Sequence, residues 1–134
     1  MGGGAGGQKS VVLILARELA SNIATPMLVL DHRGTLVFFN EPAEAVLGST
    51  FAETGEVPAE EWDQRWEVFD GEGNRMSLLT SPLAVVASEL RPAHGELCVQ
   101  GLDGIRRCCE ATVYPLFDSA RTHVGAVGVF WEKA

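Results

Sequence analysis

The chain has 134 residues, 46% hydrophobic and 21% charged, which bounds it to one globular domain around one core. A net charge of −8, with never more than two basic residues in a row, argues against nucleic acid or an anionic membrane surface as a partner. The longest apolar run, Val11 to Ala16, is far below the ~20 residues that cross a bilayer, and no signal peptide is expected. With three cysteines, an odd number, a reducing cytoplasm is the expected location.

Residues 1–9 are glycine-rich and read as a flexible linker or tag. Ser10 is a candidate N-cap for a flanking helix within residues 10–24, with Val12, Leu15, Leu19 and Ile23 on one apolar stripe. Pro26 ends that helix. Met27–Asp31 and Thr35–Phe39 are β-branched and aromatic runs joined by a short polar break that ends in Gly34, the chemistry of a hairpin. Asn40 then caps a short helix with Pro42 in its first turn, Ala43, Val46 and Leu47 inward, and Gly48 as its stop.

Residues 49–68 read as short helical pieces anchored by Phe51, Trp62 and Trp66, and Asp70–Asn74 as a loop. Thr80-Ser81-Pro82 opens a further helix that runs to about Leu90, with Leu83, Val86, Ala87 and Leu90 on one face. Three strands follow, near 96–100, 105–115 and 123–132. Two early strands cannot stand alone, so all five are expected in one antiparallel sheet, an α+β architecture with the short helices on one face.

Along the long strand, Ile105, Arg107, Cys109, Ala111 and Val113 share the more apolar face, which belongs under the helices. Placing Leu97 and Val99 on that face sets Val99 opposite Arg107. The same register makes 102–104 a three-residue hairpin loop with Gly104 left-handed. It also sets Cys98 opposite Cys108 on the outer face, near enough for a disulfide if that pair is not hydrogen-bonded, although a reducing compartment favours two thiols.

The stretch from Leu30 to Gly48 (strand, Asp-x-x-Gly turn, strand, Asn, helix, Gly), the closing hairpin Glu96–Leu116, and Gly125–Phe130 together resemble the PAS family over residues 11–132. The resemblance implies a PAS fold for residues 25–132, with a five-stranded antiparallel sheet, short helices on one face and the amphipathic N-terminal helix flanking the other. It further implies a sensory module that passes a shape change to an effector or output domain on the same or another chain. The family's usual Asp-Ile-Thr exit is here Trp131-Glu-Lys-Ala134, so the output domain is expected elsewhere.

On the last strand the resemblance puts Ala126, Gly128 and Phe130 inward and Val127, Val129 and Trp131 outward; Leu28, Leu30, Leu36 and Phe38 are then inward on the first two. Ala111, Ala126 and Gly128 are small, which leaves volume at the centre of the inner face. Two fillings stay open. Trp62, Trp66 and Phe51 swing in, giving an interaction and dimerisation module with a filled core. Otherwise a small apolar ligand occupies a pocket of Leu28, Leu30, Phe38, Val86, Leu90, Leu97, Val99, Cys109, Ala111, Val113, Ala126, Gly128 and Phe130. Outside, Val29, Val37, Phe39, Val127, Val129 and Trp131 form an apolar patch. A homodimer is expected to cover it, with Val12, Leu15, Leu19, Ile23, Val127, Val129 and Trp131 at the interface.

Catalysis is not expected. No Ser/His/acid constellation occurs, Gly71 and Gly73 lack the Lys-Ser/Thr of a phosphate loop, and Arg107 is the sole charge on the long strand's inner face. His32, His94 and His123 share no face, which disfavours a metal and leaves haem only a weak anchor in His94. All three cysteines lie on strands, away from any helical flavin motif. No cofactor is required by the residues.

Overall fold

The computed structural model describes residues 10–77 and 82–133. The glycine-rich segment 1–9, the Thr80-Ser81 cap and the side chains of Leu83 and Ala87 lie outside the described residues. Helix α1 spans Val11–Ala20, with the Ser10 hydroxyl accepting from the Val12 amide at 3.1 Å. Strands β1 (Met27–Asp31) and β2 (Leu36–Phe39) form a hairpin. Short helices α2 (Glu41–Leu47), α3 (Phe51–Thr54) and α4 (Trp62–Arg65) follow. Strands β3 (Glu67–Phe69) and β4 (Arg75–Met76), helix α5 (Pro82–Glu89) and strands β5 (Ala93–Gln100), β6 (Arg106–Phe117) and β7 (His123–Glu132) complete the chain.

The strands form one antiparallel sheet in the order β2-β1-β7-β6-β5-β3-β4. The α+β architecture is the expected one, but the described residues form seven strands in place of the expected five. The additional pair is the β3–β4 hairpin, which zips Val68 opposite Val99 and Phe69 opposite Cys98 along the β5 edge. Each of these strands is too short to carry a visible alternation, and they hold because β5 offers unpaired backbone groups.

The β5–β6 hairpin has the register that its pattern demands, Val99 opposite Arg107, with Gly104 at φ 82°. Its tip is locked to α2: the Leu102 amide donates to the Leu47 carbonyl at 2.9 Å, and Arg107 Nη1 donates to the Val46 carbonyl at 3.1 Å. Asp103 completes the lock, accepting from Arg107 Nη2 at 2.8 Å; those hydrogen bonds hold its carboxyl below the usual 3.8. At the other end, Asn40 is buried and makes four hydrogen bonds. Its Oδ1 accepts from the Met27 and Ala43 amides, and its Nδ2 donates to the Ala20 and Thr25 carbonyls. One side chain thereby ties α1, β1 and α2 together.

One expectation is corrected here. The inward set on β2 was to include Phe38, with Phe39 outward; instead Phe39 is 1% exposed in the inner core and Phe38 packs on the outer face. The cause is a bulge: Leu30 pairs with Leu36 but Val29 pairs with Phe38, so Val37 is the extra residue and the alternation flips after it. Helix α1 covers part of the outer face with one side only. Its sheet-facing residues are Leu13, Ala16 and Ala20, packed on Met27, Val29 and Val127, whereas Leu15 (62%) and Leu19 (55%) point to solvent.

Candidate functional site

Between the inner sheet face and the short helices lies a cavity of about 80 Å³. Its floor is the sheet, from Leu28, Leu30 and Leu36 across Gly128, Phe130, Ala111 and Val113 to Leu97, Val99 and Val68. Its roof is Leu47, Trp62 and Trp66. The small side chains make the space: Ala111 pairs with Phe130 and Gly128 with Val113, so the middle of the sheet has little standing on it. At Gly128 a methyl group would sit 3.1 Å from Leu28 Cδ1 and 3.7 Å from Val113 Cγ2, both of them cavity residues.

Both indoles turn their polar edge away from this space. Trp62 Nε1 donates to the Val57 carbonyl and Trp66 Nε1 to the Leu47 carbonyl, each at 3.2 Å. Val57 itself is held by a reciprocal backbone pair with Leu36, at 2.8 and 3.0 Å. Among the described residues the wall therefore offers an occupant hydrocarbon and aromatic carbon and no hydrogen-bonding partner.

Of the residues expected at the pocket, Leu28, Leu30, Leu97, Val99, Ala111, Val113, Gly128 and Phe130 line the cavity. The other five lie elsewhere. Phe38 is carried to the outer face by the bulge. Val86, Cys109 and Ala126 are buried in the same core but behind the cavity wall. Leu90 follows the end of α5 at φ 54° and is 43% exposed, because the chain turns away there. Val68 was invisible as a cavity residue because β3 was invisible as a strand. Trp62 and Trp66 do come over the sheet, but Phe51 goes to Phe38 and Phe39, with ring centroids 5.3 and 5.2 Å apart, and leaves the centre unfilled.

Cys109, whose thiol lies behind this wall, is pushed up to about 11, chiefly by burial. On the opposite face Cys98 and Cys108 are joined by a disulfide, where two thiols were expected. The backbone shows why the pair can close. The Cys108 carbonyl accepts from Lys133 on the β7 side, and Gly101 donates to Ile105, so Cys98–Cys108 is a non-hydrogen-bonded pair with its side chains close. His94 also lies on that outer face, within β5 rather than in a loop, with Nδ1 2.7 Å from Thr112 Oγ1. It is turned away from the cavity and cannot reach a group bound there. Among the described residues no set of three or more His, Cys, Asp or Glu side chains gathers as a metal site, and no helix is long and apolar enough to cross a membrane.

The residues expected at a dimer interface fall into two groups. Leu15, Leu19 and Trp131 are exposed, with Val12 partly so. Val127 is buried, and Ile23 and Val129 are half-buried, against the cluster that α1 forms with β1 and β7.

No protein-family model and no curated protein matches the sequence. Solved structures do match in shape. The PAS domain of a protein from Colwellia psychrerythraea superposes with a TM-score of 0.64 at 17% identity, covering 91% of this chain and 97% of that one. The PAS domain of nitrogen regulation protein NR(II) from Vibrio parahaemolyticus gives 0.58 at 17% identity, covering 89% and 98%. The PAS domain of BvgS from Bordetella pertussis gives 0.58 at 17% identity, covering 91% and 85%. The curled antiparallel sheet, the short helices roofing its inner face and these likenesses agree: this chain has the PAS fold.

Proposed function

We propose that this chain is the non-catalytic sensory domain of a larger signalling protein, and that a small apolar ligand in the cavity is what it senses. Residues 25–132 form the sensing unit and residues 10–24 the flanking segment that carries α1. The observation that carries this reading is the cavity itself, which the described residues leave unfilled in an otherwise packed core and wall without a polar group. A dry cavity of about 150 Å³ with such walls holds benzene or xenon, so about 80 Å³ fits an occupant of that class or smaller. Haem and flavin are too large and too polar for it. The described residues place no acid or base inside, which supports the non-catalytic reading.

The signal leaves through α1 in this reading. The exposed apolar residues of that helix dock against a second copy, and the homodimer relays the change to an output domain on the same or another chain, in the cytoplasm. An aromatic chain supports the coupling: Trp66 at the cavity meets Phe39 edge-on at 6.5 Å, Phe39 meets Phe51, and the Arg17 guanidinium of α1 lies 4.6 Å from the Phe38 ring and 5.6 Å from that of Phe51. The exposed α1 face also favours a second reading, a dimerisation module that takes no ligand.

Benzene and pressurised xenon separate the two. A ligand present at 100 times its Kd adds about 2.7 kcal/mol to folding stability, so the melting temperature rises measurably with either probe. Ala111→Leu, which fills the cavity, abolishes that rise while the variant stays folded. No rise with either probe, and no small molecule retained in native mass spectrometry, leaves the ligand-free module.

A further inference from the structure

The half of the outer sheet face over β5 and β6 carries the disulfide between Cys98 and Cys108, and its surroundings are unlike those of an inert staple. Cys108 is an exposed residue, while Cys98 is 8% exposed, so the two halves of the bond differ in their access to solvent. A cation shares this face of the sheet. Arg106 on β6 lays its guanidinium 3.5 Å from the ring centroid of Phe69 on β3, and β5 lies between those strands. The side chain therefore reaches across β5, where Cys98 is the residue paired with Phe69. A guanidinium at that place stabilises a thiolate on Cys98. Cys109 does not compete, since it lies on the opposite face, buried and held protonated.

We propose that Cys98 and Cys108 form a reversible thiol–disulfide exchange site, entered at Cys108, whose reaction partner is a dithiol. The proposal stands apart from the cavity reading. A thiolate of the dithiol attacks Cys108 Sγ; the bond between the two protein sulfurs breaks as the new mixed disulfide forms. The electron pair leaves on Cys98 Sγ, on the face that carries Arg106, and that thiolate takes up a proton. The partner's second thiol then attacks its own sulfur in the mixed disulfide, closes the partner into a disulfide and releases Cys108 as a thiol. The protein gains two electrons and two protons, and the dithiol loses them. Exposed disulfides are the labile ones, whereas structural ones resist such reduction.

The test uses the full chain, folded, with dithiothreitol as the dithiol and oxidised glutathione for the return. After brief native treatment, trapping with a thiol reagent and mass analysis should show Cys98 and Cys108 free with the fold retained by circular dichroism. Oxidised glutathione should then restore the bond. A pair that opens only when the chain unfolds overturns the proposal. For the point of entry, Cys98→Ser and Cys108→Ser are each treated with oxidised glutathione. The thiol left at Cys108 should form its mixed disulfide at least about tenfold faster than that left at Cys98, following access. Equal or reversed rates overturn entry at Cys108.

Discussion

The indole N–H of Trp66 donates to the carbonyl oxygen of Leu47 across 3.2 Å. That oxygen also accepts from the Leu102 amide at 2.9 Å, so the cavity roof and the tip of the β5–β6 hairpin share one acceptor at the end of α2. Glycine is required on both sides. A methyl group at Gly48 would lie 2.7 Å from the Asp103 backbone nitrogen, and one at Gly101 would lie 3.0 Å from the Leu47 oxygen itself. The close approach of hairpin and helix is what sets the height of Trp66 above the sheet.

Trp66→Phe and Trp66→Ala divide what that residue contributes. Phenylalanine keeps most of the ring but loses one hydrogen bond to a buried oxygen that retains a second donor, a loss of about 1 kcal/mol. Alanine opens the roof and should cost about 3–5 kcal/mol, as large-to-small changes of buried aromatic residues do. Urea unfolding measures both. Equal costs for the two variants would mean that Trp66 contributes through its hydrogen bond and not through the roof.

Asn40 offers a sharper contrast. Asn40→Ala leaves two amides and two carbonyls buried without their partner, and should cost about 3 kcal/mol or more. Asn40→Asp keeps the shape but turns an acceptor toward the Ala20 and Thr25 carbonyls. Its ionised form is disfavoured in the fold, so the folded chain holds the proton more tightly than the unfolded one. The stability of this variant therefore falls as pH rises through the carboxylate range, which the native chain does not do at this position. Unfolding curves at pH 4 and pH 7 test it.

How much of this was legible in the sequence depends on where side chains alternate cleanly. The β5–β6 register was legible because Leu97, Val99, Ala111 and Val113 can be buried together only with Gly104 at the left-handed corner. Asn40 was legible as a cap, though not as the tie to α1. Which side of α1 faces the sheet was not legible, because Val11 through Leu15 are apolar without a break and several stripes fit the same period. The deciding residues are Ala16 and Ala20, small enough to let the helix sit close on β1 and β7, and Gly125, where a methyl group would lie 2.8 Å from Leu13 Cδ2. The bulge at Val37 left no composition signal, and it moved two phenylalanines at once.

Cys109 predicts a pH dependence on the alkaline side. Burial, with Glu132 adding and Arg107 opposing, raises its folded pKa from 9.0 to about 11. Between those values the unfolded chain has lost the proton that the folded chain still holds. Stability from this group is thus fully present below pH 9.0 and is lost as pH rises through about 11. Cys109→Ala should flatten that limb of the stability curve, and the native thiol should resist alkylation at pH 8. An unchanged alkaline limb would show that the thiol is not held protonated by the fold.

Leu15 and Leu19 test the relay. They lie four positions apart on α1, 62% and 55% exposed, so in the monomer they contribute little packing that a substitution would remove. Leu15→Glu and Leu19→Glu should each leave unfolding free energy within about 0.5 kcal/mol of the parent. In a two-fold dimer the same change places the new carboxylate near its own copy, buried and unpaired, in a chain that already carries a net charge of −8. Sedimentation equilibrium should then show a dimer for the native chain and a monomer for both variants. The helix-mediated relay is wrong if the native chain sediments as a monomer, or if both glutamate variants remain dimeric.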